Sequence, residues 1–71
     1  MTDNEKLVLF KARADITDAT QDALIGQYIK DAEYFILGVT GQASVPTALE
    51  GAQVDIAVGA WGKRGAEGES S

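Results

Sequence analysis

Apolar residues recur along this chain at three- and four-residue intervals, the spacing that aligns side chains on one face of an α-helix. The middle of three such stretches is the clearest. Leu24, Ile25, Tyr28, Ile29, Ala32, Phe35 and Ile36 fill one broad arc of a helical wheel, while Gln27, Lys30, Asp31 and Glu33 fall largely outside it. Asp18, followed three residues later by Gln21, resembles a capping box, with Thr17 as an alternative cap and Ile16 as the hydrophobic residue before it. A helix is therefore predicted from about Asp18 to Leu37, stopped by Gly38 and Gly41.

A first helix is predicted over Asp3 to Arg13. Thr2, Asp3 or Asn4 can cap it, and Glu5 complements the dipole in its first turn. Leu7, Phe10 and Ala14 share a face. Leu7 to Phe10 alone is compatible with a strand, but the cap and the Lys11–Ala14 continuation favour helix. After a loop of Gly, Thr, Gln and Ser, Pro46 suits the first position of a third helix, with Ser44 or Val45 near its cap. That helix is expected to reach Gly62 or Lys63, with Lys63 and Arg64 in its last turn and Gly65 as its stop. Residues 66–71 are small and polar and read as a flexible tail. The expected fold is all-α: a small three-helix bundle over residues 1–65, with room for one extra short helix.

The third helix carries two apolar stripes. Leu49, Ala52, Ile56 and Ala60 form one, and Val54, Val58 and Trp61 form another on a different side of the wheel. A helix in a three-helix bundle buries about one stripe. Either it is wedged centrally and both stripes are core, or Val54, Val58 and Trp61 meet another subunit, where Trp is a common anchor. The pattern leaves these two equal. Gly51 and Gly59, with Ala48, Ala52 and Ala60, leave small faces open to close helix approach. Tyr34 and Leu37 fall outside the main arc of the second helix and mark a candidate contact patch.

Composition narrows the function. The 71 residues contain no cysteine and no histidine. Cys/His zinc sites, disulfides and His-based catalysis are excluded. Six basic against eleven acidic residues, a net charge of −5, argue against a phosphate-backbone binder. The length holds one core at most, and so small a core gains from a partner or from self-association. No apolar run approaches a membrane span, and the polar, acidic start is not a secretory signal. Asp18 and Asp22 are neighbours at helical spacing, yet favourable charge at a helix start explains them better than a metal or acid–base pair. Gly59, Gly62, Gly65 and Gly68 recur every third residue, but no strand precedes them and no helix follows, as a phosphate loop requires. No catalytic, cofactor or metal residue is assigned.

Two stretches carry a family resemblance. Val45-Pro46-Thr47-Ala48-Leu49-Glu50, followed by Ala60-Trp61-Gly62-Lys63-Arg64-Gly65-Ala66-Glu67-Gly68-Glu69-Ser70-Ser71, resembles the small head–tail connector proteins of tailed phages. These are also called head-completion or adaptor proteins. The family pattern has a Pro-Xaa-Xaa-Leu helix start, then an aromatic, basic residues and Gly-Ala-Glu-Gly followed by serines. Asp18 to Ile36 resembles the family's second helix. Trp61-Gly62-Lys63 departs from the usual Tyr followed by Asn or Arg, though the aromatic character is kept. The family's chains usually continue past the serines, so an end at Ser71 reads as short of the functional protein.

The resemblance implies a subunit of a homo-oligomeric ring, of dodecamer-like symmetry, beneath the portal protein at the virion head–tail interface. It implies assembly in the host cytoplasm, partnership with a tail or stopper protein, and DNA only passing through the channel. A wall that is not basic would not trap the passing phosphates. The segment that engages portal or neighbour would be Lys63, Arg64, Gly65, Ala66, Glu67 and Gly68, running on to Ser71. The alternatives are a small helical interaction module of regulator or antitoxin type, then a helix-turn-helix DNA binder, with an enzyme last.

Overall fold

The computed structural model describes the backbone of residues 1–70 and the side chains of residues 1–63. Three α-helices follow in order: α1 (Asp3–Ala14), α2 (Asp22–Thr40) and α3 (Glu50–Ser70), with a short 3₁₀ turn (Thr47–Leu49) leading into α3. The described residues contain no strand. The all-α fold with one extra short helical turn is thus observed.

Local chemistry explains each boundary. Thr2 caps α1: its hydroxyl accepts the Glu5 N–H at 3.1 Å, and the Glu5 carboxylate accepts the Thr2 N–H at 2.7 Å. Asp15 ends the helix in the left-handed region at φ 58°, which Asp tolerates better than most residues. The Ile16 N–H then reaches back to the Lys11 carbonyl at 2.9 Å, and the Ile16 side chain packs against the core.

Helix α2 starts later than the sequence predicts. Its N-cap is Gln21, without a side-chain cap, and the Asp18 carboxylate accepts from the Thr20 hydroxyl instead. At the other end, Gly41 at φ 71° stops the helix, while Gly38 lies within it. A helix stops where the backbone can turn left-handed, and the chain makes that turn at only one of the two candidate glycines. Pro46 precedes the 3₁₀ turn rather than starting α3; its carbonyl accepts the Leu49 N–H at 2.8 Å. The third helix extends to Ser70, past the expected end at Gly62 or Lys63. A glycine in the right-handed region costs only ~1 kcal/mol, so Gly65 need not break a helix.

The core sits where the three helices meet. Phe10 comes from α1, Ile25, Ile29 and Ala32 from α2, and Val54 and Ala57 from α3. Two aromatic contacts close one end of it. Trp61 meets Phe10 edge-to-face at 5.7 Å and Tyr28 at 5.4 Å. Ion pairs pin the helices at the periphery: Lys11 with Asp22 at 2.8 Å joins α1 to α2, and Arg13 with Asp55 joins α1 to α3.

Candidate interaction surface

The sequence left open which stripe of α3 faces inward. In the structure Val54 is fully buried in the shared core, and Val58 and Trp61 pack against it while staying half-exposed. Assigning Val54 to a subunit interface is therefore corrected: its side chain is spent on the core of its own subunit. The physical reason is that α3 packs against both α1 and α2 and buries Gln53, Val54 and Ala57. The other stripe faces out. Ala52, Ile56 and Ala60 are exposed, with Gly59 beside them, and only Leu49 is half-buried. The sequence showed this stripe but not that it faces outward.

Helix α2 shows the opposite surprise. Ile25, Ile29, Ala32 and Ile36 are buried, but Leu24 and Phe35, expected in the same arc, are 42% and 60% exposed. With half-buried Tyr28 and exposed Val39, they form an apolar flank along one side of α2. The arc was wider than two neighbouring helices can cover, so its edge remains in water. Tyr34 is 62% exposed on another side of α2, with the Lys30 ammonium 6.0 Å from its ring centre. Leu37 is half-buried. The candidate residues Tyr34, Leu37 and Trp61 do not converge on one side of the molecule: Trp61 closes the aromatic end of the core, while Tyr34 sits on the outer side of α2. The side chains of Arg64, Gly65, Ala66, Glu67 and Gly68 lie outside the described residues, and Lys63 is exposed.

Several polar groups are committed to the fold. Glu50, 8% exposed, holds the Met1 amino group at 2.6 Å and Lys6 at 3.8 Å. Glu5 has its carboxyl held below the ordinary value by the Thr2 backbone N–H first and the Thr2 hydroxyl second. Asp18 and Asp22, neighbours on a surface in the sequence reading, are engaged with Thr20 and Lys11 instead. Among the described residues no three His, Cys, Asp or Glu side chains gather where they could hold a metal ion. Among them, too, no helix is long and apolar enough to cross a membrane.

A cleft of about 350 Å³ opens between α1 and α2, walled by Asp3, Asn4 and Leu7 on one side and Gly26, Ile29, Lys30 and Glu33 on the other, with Gln53 of α3 also lining it. The outward faces of α2 and α3 are suited to protein contact.

The model of the family described as "Phage gp6-like head-tail connector protein" matches residues 4–71. No curated protein and no solved structure matches the chain.

Proposed function

The chain belongs to the phage gp6-like head–tail connector family, and from that premise we propose that it is the repeating subunit of a ring beneath the portal. The ring extends the DNA channel and gives the tail or a stopper protein a surface to dock on. The family is a structural one of the virion, not known for catalysis. The observation that carries the ring reading is a pair of unlike apolar faces on one small subunit. The flank of Leu24, Phe35 and Val39 on α2 is large and aromatic, whereas Ala52, Ile56, Gly59 and Ala60 on α3 are mostly small. A ring of identical subunits needs heterologous contacts, in which one face meets a different face of the neighbour. A bulky flank against a small-residue ridge is such a pair. Tyr34, Leu37 and the half-exposed edge of Trp61 supply further contact area, toward the neighbour or the portal, and the segment from Lys63 to Gly68 engages the portal or the neighbouring subunit. The net charge of −5 suits a channel that DNA must traverse without being held.

The test is light scattering of the purified chain across a concentration series, with and without portal. A ring, or a portal-bound assembly, is expected. Phe35→Asp and Ile56→Asp should each abolish it while leaving the helical circular dichroism of the monomer intact, because both positions are exposed. A strict monomer that ignores portal would sink the reading.

A further inference from the structure

The cleft between α1 and α2 has a feature that its packing does not explain. Gln53 is 1% exposed, and its Nε2 donates to the Ile29 carbonyl at 3.0 Å. That bond fixes which way the amide points, because a carbonyl accepts only from the nitrogen. It leaves Gln53 Oε1 buried with no hydrogen-bond partner. A buried acceptor without a donor costs about 1–3 kcal/mol, so an orphan of this kind needs a reason. Gln53 lines the cleft, whose rim carries the carboxylates of Asp3 and Glu33 and a single cation, Lys30, already 3.5 Å from Glu33. Apolar walls, an acidic rim and an unsatisfied acceptor fit an incoming side chain with an aliphatic stem and a cationic, donor-only head.

The cation inventory identifies the donor. The chain has six basic residues. Lys6, Lys11, Arg13 and Lys30 are each ion-paired within the subunit. Among the described residues Lys63 is exposed and forms no ion pair, and Arg64 follows it in the sequence. We propose that the α1–α2 cleft is a socket for the Lys63 end of α3 from a second copy of this chain. This rests on the ring reading and specifies one of its heterologous contacts: the basic end of one subunit enters the acidic cleft of the next.

The chain lacks cysteine, so a disulfide probe has no background. Gly26 lies on the cleft wall, and a Cβ there meets nothing within 4 Å. The double variant Gly26→Cys with Lys63→Cys, treated with a mild oxidant under assembly conditions, should give a ladder of covalent multimers. Two non-covalent variants accompany it. Lys63→Glu should weaken association about tenfold or more, and adding Glu33→Lys should restore most of the loss. Gly26→Leu plugs the cleft without touching a charge and should weaken association similarly. Rings that form normally in Lys63→Glu and Gly26→Leu, with only monomeric disulfide products, would overturn the socket, and the ring reading would stand. A wild-type chain that neither self-associates nor binds portal would overturn both.

Discussion

Replacing Trp61 by alanine separates a core role from a contact role. Trp61 is half-exposed, yet its ring stands edge-on to Phe10 and to Tyr28 at 5.7 and 5.4 Å. Each such pair contributes about 0.5–1.5 kcal/mol beyond the buried area. A fully buried Trp→Ala substitution costs about 3–5 kcal/mol, and partial exposure places this one near the lower end, at roughly 3 kcal/mol. A domain of this length has a total stability of only ~4–10 kcal/mol. At about 4–8 °C per kcal/mol, the melting temperature should fall by about 12–24 °C. The assay is thermal and urea unfolding followed by far-ultraviolet circular dichroism, at concentrations where the chain is monomeric. Assembly is measured in parallel. Folding and assembly should fail together in Trp61→Ala, and Trp61→Phe should recover part of both. A variant that melts within about 3 °C of wild type yet no longer assembles would refute the argument and place the indole against another subunit.

Other substitutions probe the remaining elements. Thr2→Ala removes the capping box and should cost about 1 kcal/mol in urea unfolding. The Glu5 carboxyl is depressed in the folded state, so its contribution is complete above the ordinary glutamate value and is lost as pH falls through the lower folded value; the stability difference between wild type and Glu5→Gln should shrink toward zero on acidification, and a constant difference would contradict this. Glu50→Gln leaves Lys6, 8% exposed, beside a neutral amide and should destabilise by about 3 kcal/mol, whereas Glu33→Gln on the surface should shift stability by less than about 1 kcal/mol. Gly59→Ala adds a methyl that meets nothing within 4 Å and should raise helix stability by about 0.5–1 kcal/mol, seen as a higher melting temperature of the monomer; a lower one would mean that α3 is not helical there.

What the sequence could disclose follows from how local each signal is. The three helices, and Thr2 as one of three candidate caps of α1, were legible because spacing and caps involve residues a turn apart, whereas the pairing of Thr2 with Glu5 emerged only in the structure. Gly41 against Gly38 as the stop of α2 was not, because composition allows both and only the packed backbone chooses. The two stripes of α3 were visible, but their direction was not. Which face turns inward depends on the angle at which α1 and α2 meet it, and that is a property of three helices together. The same reasoning explains Phe35. Periodicity places it in the arc with Ile36, yet only a third helix reaching that side could cover it, and none does. Gln53 was illegible for another reason. A glutamine on an amphipathic helix reads as surface, and its burial against the Ile29 carbonyl has no counterpart in the linear pattern.

The smallness of the chain turns these exposures into a consequence of geometry. Three helices around one core can each hide about one stripe, and among the described residues no fourth long element covers the rest. Apart from Val8 on α1, the surplus apolar area lies on two helices and differs in character: aromatic and branched on α2, and small except for Ile56 on α3. A symmetric dimer would use one patch on itself and leave the other in water. An arrangement that pairs the first face with the second covers both at once, and repeating that contact closes a ring or propagates a filament, depending on the rotation per subunit. Closure must then be set by whatever fixes that rotation. Apolar faces slide easily, because burial is non-directional. A charged side chain seated in a cleft with an acidic rim does not, since displacement separates the charge from its partners. On the proposed ring reading, the cleft lined by Gln53 is therefore better suited to setting the angle between subunits than to supplying the affinity that holds them.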